Sequence, residues 1–438
     1  MTEKKINVRA LALDVLTRCE GGGYSNIALD TVIKRNSLFG SDRALLTALV
    51  YGVIERKITL DYIIASLSSI PNSKIEDNTR NLLRMGLYQL RYMEKVPPFA
   101  AINETVSLAN KRSKGFVNAI LRSYTRECDK ITFPSESDAV KHLSVTYSIC
   151  EGLAKAMLEA YSFEDCKAIL KAFGEKTPLT LRVNEIKTTR DELFEELSSK
   201  MPDATLTKFS PDGIILESAA VSELECLNDG RVIVQDEASQ ICVRALDAQK
   251  GERVLDVCAC PGSKSFGAAM SMQNDGELIA SDIHESKLSL IKKGADRLGI
   301  SIISTRARDA RQPIEELIDS ADKIICDVPC SGYGVIAKKP EIRYKDPKES
   351  AALPCIQRDI LENVSRYLKV GGVLVYSTCT ILPDENENNI KSFLESHEGF
   401  ELLPFDVGEL RVSGGMITLL PNVHKTDGFF IAKLRRKF

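Results

Sequence analysis

The chain has 438 residues, 44% of them apolar and 27% charged, with a formal net charge of −3. These proportions predict an ordinary soluble globular protein with ample core material and a soft expectation of about three domains, and the small net charge excludes a nucleic-acid footprint spread over the whole chain. No uncharged apolar run approaches the ~20 residues that a bilayer span needs, and twelve scattered cysteines behind a start with no apolar leader predict a reducing, cytoplasmic location.

Charge is unevenly spread. Residues 1–130 carry 20 Lys and Arg against 13 Asp and Glu, whereas the remainder carries 38 against 48. The asymmetry allows an anionic partner for the N-terminal part. In that part, apolar residues recur at helical spacing over Val8–Cys19, Asp42–Ile54, Leu60–Leu67, Thr79–Tyr92, Glu104–Asn110 and Phe116–Tyr124. This predicts an all-α domain over 1–128, broken at Gly21–Gly23, Pro71 and Pro97–Pro98. Arg80, Arg84 and Arg91 share one helical face, and Lys111, Arg112, Lys114, Arg122 and Arg126 follow; spacing alone favours a solvated basic face over an RNA surface. Residues 129–235 read as a small α/β connecting domain: helical patterns over 140–173, a strand at Leu179–Val183, a helix at Asp191–Lys200 and a strand at Gly213–Glu217.

From Val232 onward strands and helices alternate, which predicts a mostly parallel sheet covered on both faces, occupying 236–438. The run Arg253–Cys258 breaks at Ala259-Cys260-Pro261-Gly262-Ser263-Lys264 before a helix, a turn that offers backbone amides to a ligand. Asp282 ends the next strand, twenty residues past Gly262, where a carboxylate meets ribose hydroxyls in dinucleotide folds. Asp309 follows the third run and is placed to accept from an adenine amino group. The paired glycines of a dinucleotide fingerprint and any phosphate-binding P-loop are missing, so S-adenosylmethionine fits better than NAD or ATP. Cys258-x-Cys260 and Cys326-x3-Cys330 lack partner ligands, and no metal site is expected.

Two further runs, Lys323–Asp327 and Gly372–Tyr376, read as buried strands. They deliver Cys330, in Asp327-Val-Pro-Cys330, and Cys379, in Tyr376-Ser-Thr-Cys379, to the carboxyl end of the sheet, where ligands bind in open α/β folds. Two thiols and the Asp327 carboxylate there point to covalent chemistry beside a bound cofactor. Lys264 is a candidate source of the positive charge that favours a thiolate. Cys326, inside a strand, reads as an inert buried thiol. Spacing alone leaves open which thiol attacks. Lys338, Lys339 and Arg343 are either RNA phosphate contacts or solvated surface charge.

The N-terminal motifs Leu83-Arg-Met-Gly-Leu-Tyr-Gln-Leu90, Val96-Pro-Pro, Ala101-Ile-Asn-Glu-Thr-Val106 and Phe116-Val-Asn-Ala-Ile-Leu-Arg122 resemble the NusB-type helical RNA-binding domain. The blocks from Val234-Gln-Asp-Glu-Ala-Ser-Gln240 to Asp427-Gly-Phe-Phe-Ile-Ala-Lys433 resemble the RNA (cytosine-carbon-5) methyltransferases of the NOL1/NOP2/Sun family. Cys260 and Ser263 stand where that family usually has alanine and glycine.

The resemblance implies a multidomain protein with a C-terminal Rossmann-like, S-adenosylmethionine-dependent methyltransferase domain. It implies cofactor contacts from Cys258, Ala259, Cys260, Pro261, Gly262, Ser263, Lys264, Asp282, Asp309 and Asp327. It further implies that Cys379 attacks carbon 6 of a cytosine, that Asp327 stabilises protonation at nitrogen 3, and that Cys330 assists loss of the carbon-5 proton. The implied substrate is 16S ribosomal RNA, free or partly assembled, with no membrane or metal partner. A non-catalytic RNA-binding factor with a degenerate methylase domain is the alternative from another class, and retention of both cysteines and Asp327 speaks against it. A dinucleotide oxidoreductase is disfavoured by the missing glycines.

Overall fold

The computed structural model describes residues 7–20, 25–217, 221 and 224–438; the expected break at Gly21–Gly23 lies outside them. Two compact units are present, one built from residues 1–170 with 339–346 and the other from 171–338 with 347–438.

The first unit is helical: Val8–Glu20, Ser25–Arg35, Gly40–Glu55, Lys57–Leu67, Asp77–Tyr92, Pro98–Ser107 and Lys114–Glu127, followed by Ala139–Tyr147, Glu151–Ala160 and Phe163–Ala172. Asp77–Tyr92 packs at its centre and buries Leu82, Leu83, Met85 and Leu87 against Leu46, Leu49, Ile63 and Leu121. Pro98 does not merely break the chain but opens a helix, where its missing N–H costs nothing. The helix Ser25–Arg35 has no counterpart among the expected elements.

The expected face of Arg80, Arg84 and Arg91 is not a solvated basic surface. Arg84 is 3% exposed and donates to both Asp61 oxygens at 2.7 and 2.6 Å, with Glu20 as a second carboxylate partner. Arg80 pairs with Asp77, and Arg91 lies over the Tyr92 and Phe133 rings. A guanidinium on a central helix is stable there because carboxylates and rings replace its water. Lys111, Arg112, Lys114, Arg122 and Arg126 are exposed.

This unit also takes in a strap from far along the chain, the 3₁₀ turn Pro340–Tyr344. Arg343, 1% exposed, donates to the Tyr147 carbonyl at 3.2 Å, and the Tyr344 hydroxyl accepts from the Lys57 N–H at 3.1 Å. Arg343 is therefore no phosphate contact.

In the second unit a four-stranded antiparallel sheet comprises β1 (Leu179–Val183), β2 (Thr205–Leu206), β3 (Gly213–Leu216) and β4 (Val232–Val234), in the order β2-β3-β1-β4. The run at Val232 was expected to open the parallel sheet; it pairs antiparallel with β1 instead. The main sheet starts at β5 (Arg253–Asp256) and continues through β6 (Glu277–Asp282), β7 (Ile303–Ala307), β8 (Ala321–Asp327), β9 (Leu368–Thr378) and β10 (Phe400–Leu402). After the small hairpin of β11 (Phe405–Val407) and β12 (Leu410–Val412), β13 (Met416–Leu419) and β14 (Phe429–Arg436) complete it. The order is β10-β14-β9-β8-β5-β6-β7, parallel from β9 to β7, with β14 antiparallel to β9. Strand order reverses between β5 and β8, and the carboxyl ends there form the crevice of a doubly wound fold.

Candidate active site

Adjacent parallel strands end in register at this crevice. Asp327, the last residue of β8, pairs with Ser377 of β9. Cys330 and Cys379 follow within a few residues, so register alone brings the two loops together. Their sulfurs lie 3.1 Å apart, and the Cys379 N–H donates to the Cys330 sulfur at 3.3 Å. None of the twelve cysteines forms a disulfide. The hydrogen bond to Cys379, then burial, push the Cys330 thiol well above its ordinary range, and nearby Glu385 and Asp327 charges push the same way. Cys326 is fully buried and its thiol is raised by burial, as an inert strand residue should be.

Lys264, 8% exposed, sends its ammonium to Asp327 at 2.7 Å, and Ser377 donates to the other Asp327 oxygen at 2.7 Å. Burial pulls the Lys264 ammonium down, but the Asp327 charge and hydrogen bond prevail and hold it above its usual value. Lys264 is thus bound to the carboxylate, and Cys379 acts on it only through charge, behind Asp327 and Cys242. The Phe429 ring lies 5.1 Å from its nitrogen.

The loop 258–264 follows β5. Gly262 has φ +110°, and a Cβ there would stand 2.7 Å from the Phe266 ring, so only glycine makes this turn. The loop is braced by Asp282, whose oxygens accept the Cys260 N–H at 3.1 Å and the His284 N–H at 2.9 Å. Gln235 donates to the Ser263 carbonyl at 3.1 Å. Burial lifts the thiols of Cys258, well above its ordinary range, and of Cys260, to about 11. Asp309 is held below the usual carboxylate range by Arg311, 2.6 Å away. Asp256, ending β5, is buried and pushed up to about 7 by that burial, against a 2.5 Å hydrogen bond from Ser265. A polar residue ending an apolar strand was the sequence signal for it.

Beside these loops a cavity of about 550 Å³ is lined by Gln235, Asp236, Ser263, Lys338 and Asp427 among others. Lys338 is held there by Asp236 at 2.6 Å and Asp427 at 2.7 Å, which removes it from the solvated charges. Gly334 approaches closely as well: a Cβ on it would lie 1.7 Å from the Gly428 carbonyl and 2.8 Å from that of Cys379. Sequence reasoning missed a buried set behind the thiols, namely Gln357, Glu385, Asn386 and Asn389. Among the described residues no group of three His, Cys, Asp or Glu is arranged to hold a metal, and no helix is long and apolar enough to cross a membrane.

Comparison with known proteins completes the description. Residues 243–435 match the family model described as 16S rRNA methyltransferase RsmB/F, residues 6–126 the NusB family, and residues 151–222 the RsmF/B-like ferredoxin-like domain. The chain is 40% identical to a Bacillus subtilis (strain 168) protein named "Probable ribosomal RNA small subunit methyltransferase B", covering 99% of this chain and 100% of that one. It is 33% identical to the ribosomal RNA small subunit methyltransferase B of Escherichia coli (strain K12), with the same coverage. Among solved structures, a methyltransferase homolog from Pyrococcus horikoshii is 28% identical with a TM-score of 0.59, covering 68% of this chain and 99% of that one. The crystal structure of PH0851 is 25% identical with a TM-score of 0.79, covering 98% of both chains.

Proposed function

The chain belongs to the RsmB/F family of 16S rRNA methyltransferases, and from that premise we propose that it methylates carbon 5 of a cytidine in 16S ribosomal RNA, using S-adenosylmethionine and a covalent cysteine adduct. The observation that carries the reading is the pair of sulfurs 3.1 Å apart beside the Lys264–Asp327 pair, at the carboxyl ends of neighbouring parallel strands. Addition and elimination at an aromatic carbon need a nucleophile to attack and a base to finish, and the two thiols can supply both.

Residues 258–264 suit a ligand that carries adenosine without a diphosphate. Their one cation, Lys264, is turned to Asp327, while Asp282 and Asp309 offer carboxylates at the ends of neighbouring strands. Cys258, Ala259, Cys260, Pro261, Gly262, Ser263 and Lys264 would form the wall of that site, with Asp327 at its end. S-adenosylmethionine supplies, when bound, a methyl group on a positively charged sulfur.

Cys379 adds through sulfur to carbon 6 of the cytosine. Ring nitrogen 3 takes a proton and donates it in a hydrogen bond to Asp327, whose charge Lys264 balances. Carbon 5 then holds the electron pair that accepts the methyl group. Cys330 keeps its proton while Cys379 carries charge; once Cys379 is bonded to carbon that brake is lifted, Cys330 releases its proton to solvent, and its thiolate serves as base for the carbon-5 proton. Loss of that proton restores the double bond between carbons 5 and 6 and expels Cys379 as a thiolate, and nitrogen 3 returns its proton to solvent. The target base must leave its stack to reach half-buried thiols. The exposed Lys111, Arg112, Lys114, Arg122 and Arg126 of the helical unit supply phosphate contacts. Incubating the protein with unmodified 16S RNA and labelled S-adenosylmethionine, then digesting to nucleosides, should place the label in 5-methylcytidine. Label in any other nucleoside rejects the reading.

A further inference from the structure

Behind the two thiols lies a buried polar set that neither the cofactor loop nor the reacting groups account for. Glu385 is 4% exposed and accepts the Ser331 N–H at 2.9 Å and the Gln357 amide at 2.8 Å. Gln357, itself fully buried, also donates to the Pro329 carbonyl at 2.9 Å. Both peptides flanking Cys330 are therefore gripped, one by each residue. Asn386, the next residue along, grips the other loop: its amide donates to the Thr380 carbonyl at 3.0 Å, and its oxygen accepts from the Thr378 hydroxyl at 2.5 Å. A Ser331–Thr380 hydroxyl contact of 2.9 Å joins the two loops. Among the described residues Glu385 has no ion-pair partner, so a carboxylate sits unneutralised on the Cys330 side alone.

A buried carboxylate without a cation is costly, and two neutral amides could hold these loops without that cost. Its presence calls for a role that needs the charge. We propose that Glu385 and Asn386 are positioning residues that divide the chemistry between the two thiols: each fixes one cysteine loop, and the charge behind Cys330 reserves the thiolate for Cys379. The groups facing Cys330 are Cys379, Glu385, Asp327 and Tyr376, with Lys264 beyond Asp327. Three of these disfavour a second negative charge at Cys330. A thiol held in this way is a poor nucleophile at neutral pH and, once ionised, a strong base, which is what removal of a carbon-5 proton needs. The inference rests on the proposed roles of Cys379 and Cys330.

The test moves the charge from one loop to the other. Full-length protein is prepared as wild type, Glu385→Gln, Asn386→Asp and the double variant. Iodoacetamide labelling of Cys330 and Cys379 is followed peptide by peptide across pH, alongside RNA adduct formation and thermal unfolding. Glu385→Gln should speed labelling of Cys330 about tenfold at neutral pH, as a thiol regains part of its ordinary ionisation. Asn386→Asp should slow Cys379 labelling and adduct formation by a similar factor, and it tests the idea alone if Glu385→Gln does not fold. The double variant should reverse the order of reactivity. A folded set in which the order and pH dependence of labelling match wild type overturns the inference. If the expected order of labelling holds in wild type yet Cys330→Ala protein, whose elimination is blocked, forms no adduct with RNA, the reading of the mechanism fails instead.

Discussion

Replacing Lys264 by methionine removes the cation at the centre of the site while keeping most of its volume. The ammonium is 2.7 Å from Asp327 and 8% exposed, so among the described residues the carboxylate would retain the Ser377 hydroxyl alone. Removing one partner of a buried pair costs about 3–5 kcal/mol. The Asp327 side chain keeps 29% exposure, and solvent reduces that cost to about 2–3 kcal/mol. Much of it should return in the Lys264→Met/Asp327→Asn double variant, which leaves no unpaired charge. The chain has no tryptophan, so hydrogen exchange of β8 and β9, read by mass spectrometry, reports the local stability better than fluorescence. The four proteins form a cycle whose coupling should reach about 2 kcal/mol. Effects that add to within about 0.5 kcal/mol would refute the claim that this pair, rather than packing, holds the crevice.

Asp256 is pushed up to about 7 by burial from an unfolded value near ~3.9, so the fold favours its protonated form. That contribution is complete below about pH 4 and is lost as pH rises toward about 7; thermal unfolding should show the decline in wild type and a flatter profile in Asp256→Asn. Gly334→Ala forces a methyl group against the Gly428 and Cys379 carbonyls. The displaced Cys379 loop should lower the methylation rate by about a hundredfold, with cofactor affinity by calorimetry unchanged. Arg122→Glu with Arg126→Glu should weaken RNA binding and flatten its salt dependence, as fewer phosphates are neutralised. An unchanged salt slope would remove this face from the RNA surface. These substitutions are preferable to deleting residues 1–128, which would remove the Lys57 N–H and the Ile54 carbonyl that hold the Tyr344 hydroxyl.

Asp327, Cys330 and Cys379 were legible because their positions depend on two local facts: apolar runs that form strands, and the rule that ligands collect where parallel strands end. Lys264 was recognised as a cation of the site, but its pairing with Asp327, 63 residues away, is tertiary. The same limit hid Gln357 and Glu385, which reach the Cys330 loop from 28 and 54 residues away and look like ordinary helix-face polar residues in sequence. Arg84 misled for a related reason, since helical spacing places it on a face without saying whether water or Asp61 meets it. Helix Ser25–Arg35 buries only Ser25, Leu29 and Val32, too thin a stripe to stand out. Strand β4 is three residues long, and its pairing with β1 depends on register across about fifty residues of chain rather than on its own pattern.

The central claim is that the two thiols act in sequence, and it is tested by trapping. Wild type, Cys379→Ala and Cys330→Ala are each incubated with unmodified 16S RNA and S-adenosylmethionine, then run on a denaturing gel. If Cys379 attacks and Cys330 completes elimination, Cys330→Ala accumulates a denaturant-resistant protein–RNA band carrying the transferred methyl group. Cys379→Ala then shows neither band nor product. A band that persists in Cys379→Ala and is absent from Cys330→Ala would exchange the two roles, and full methylation by both variants without any band would contradict covalent catalysis altogether.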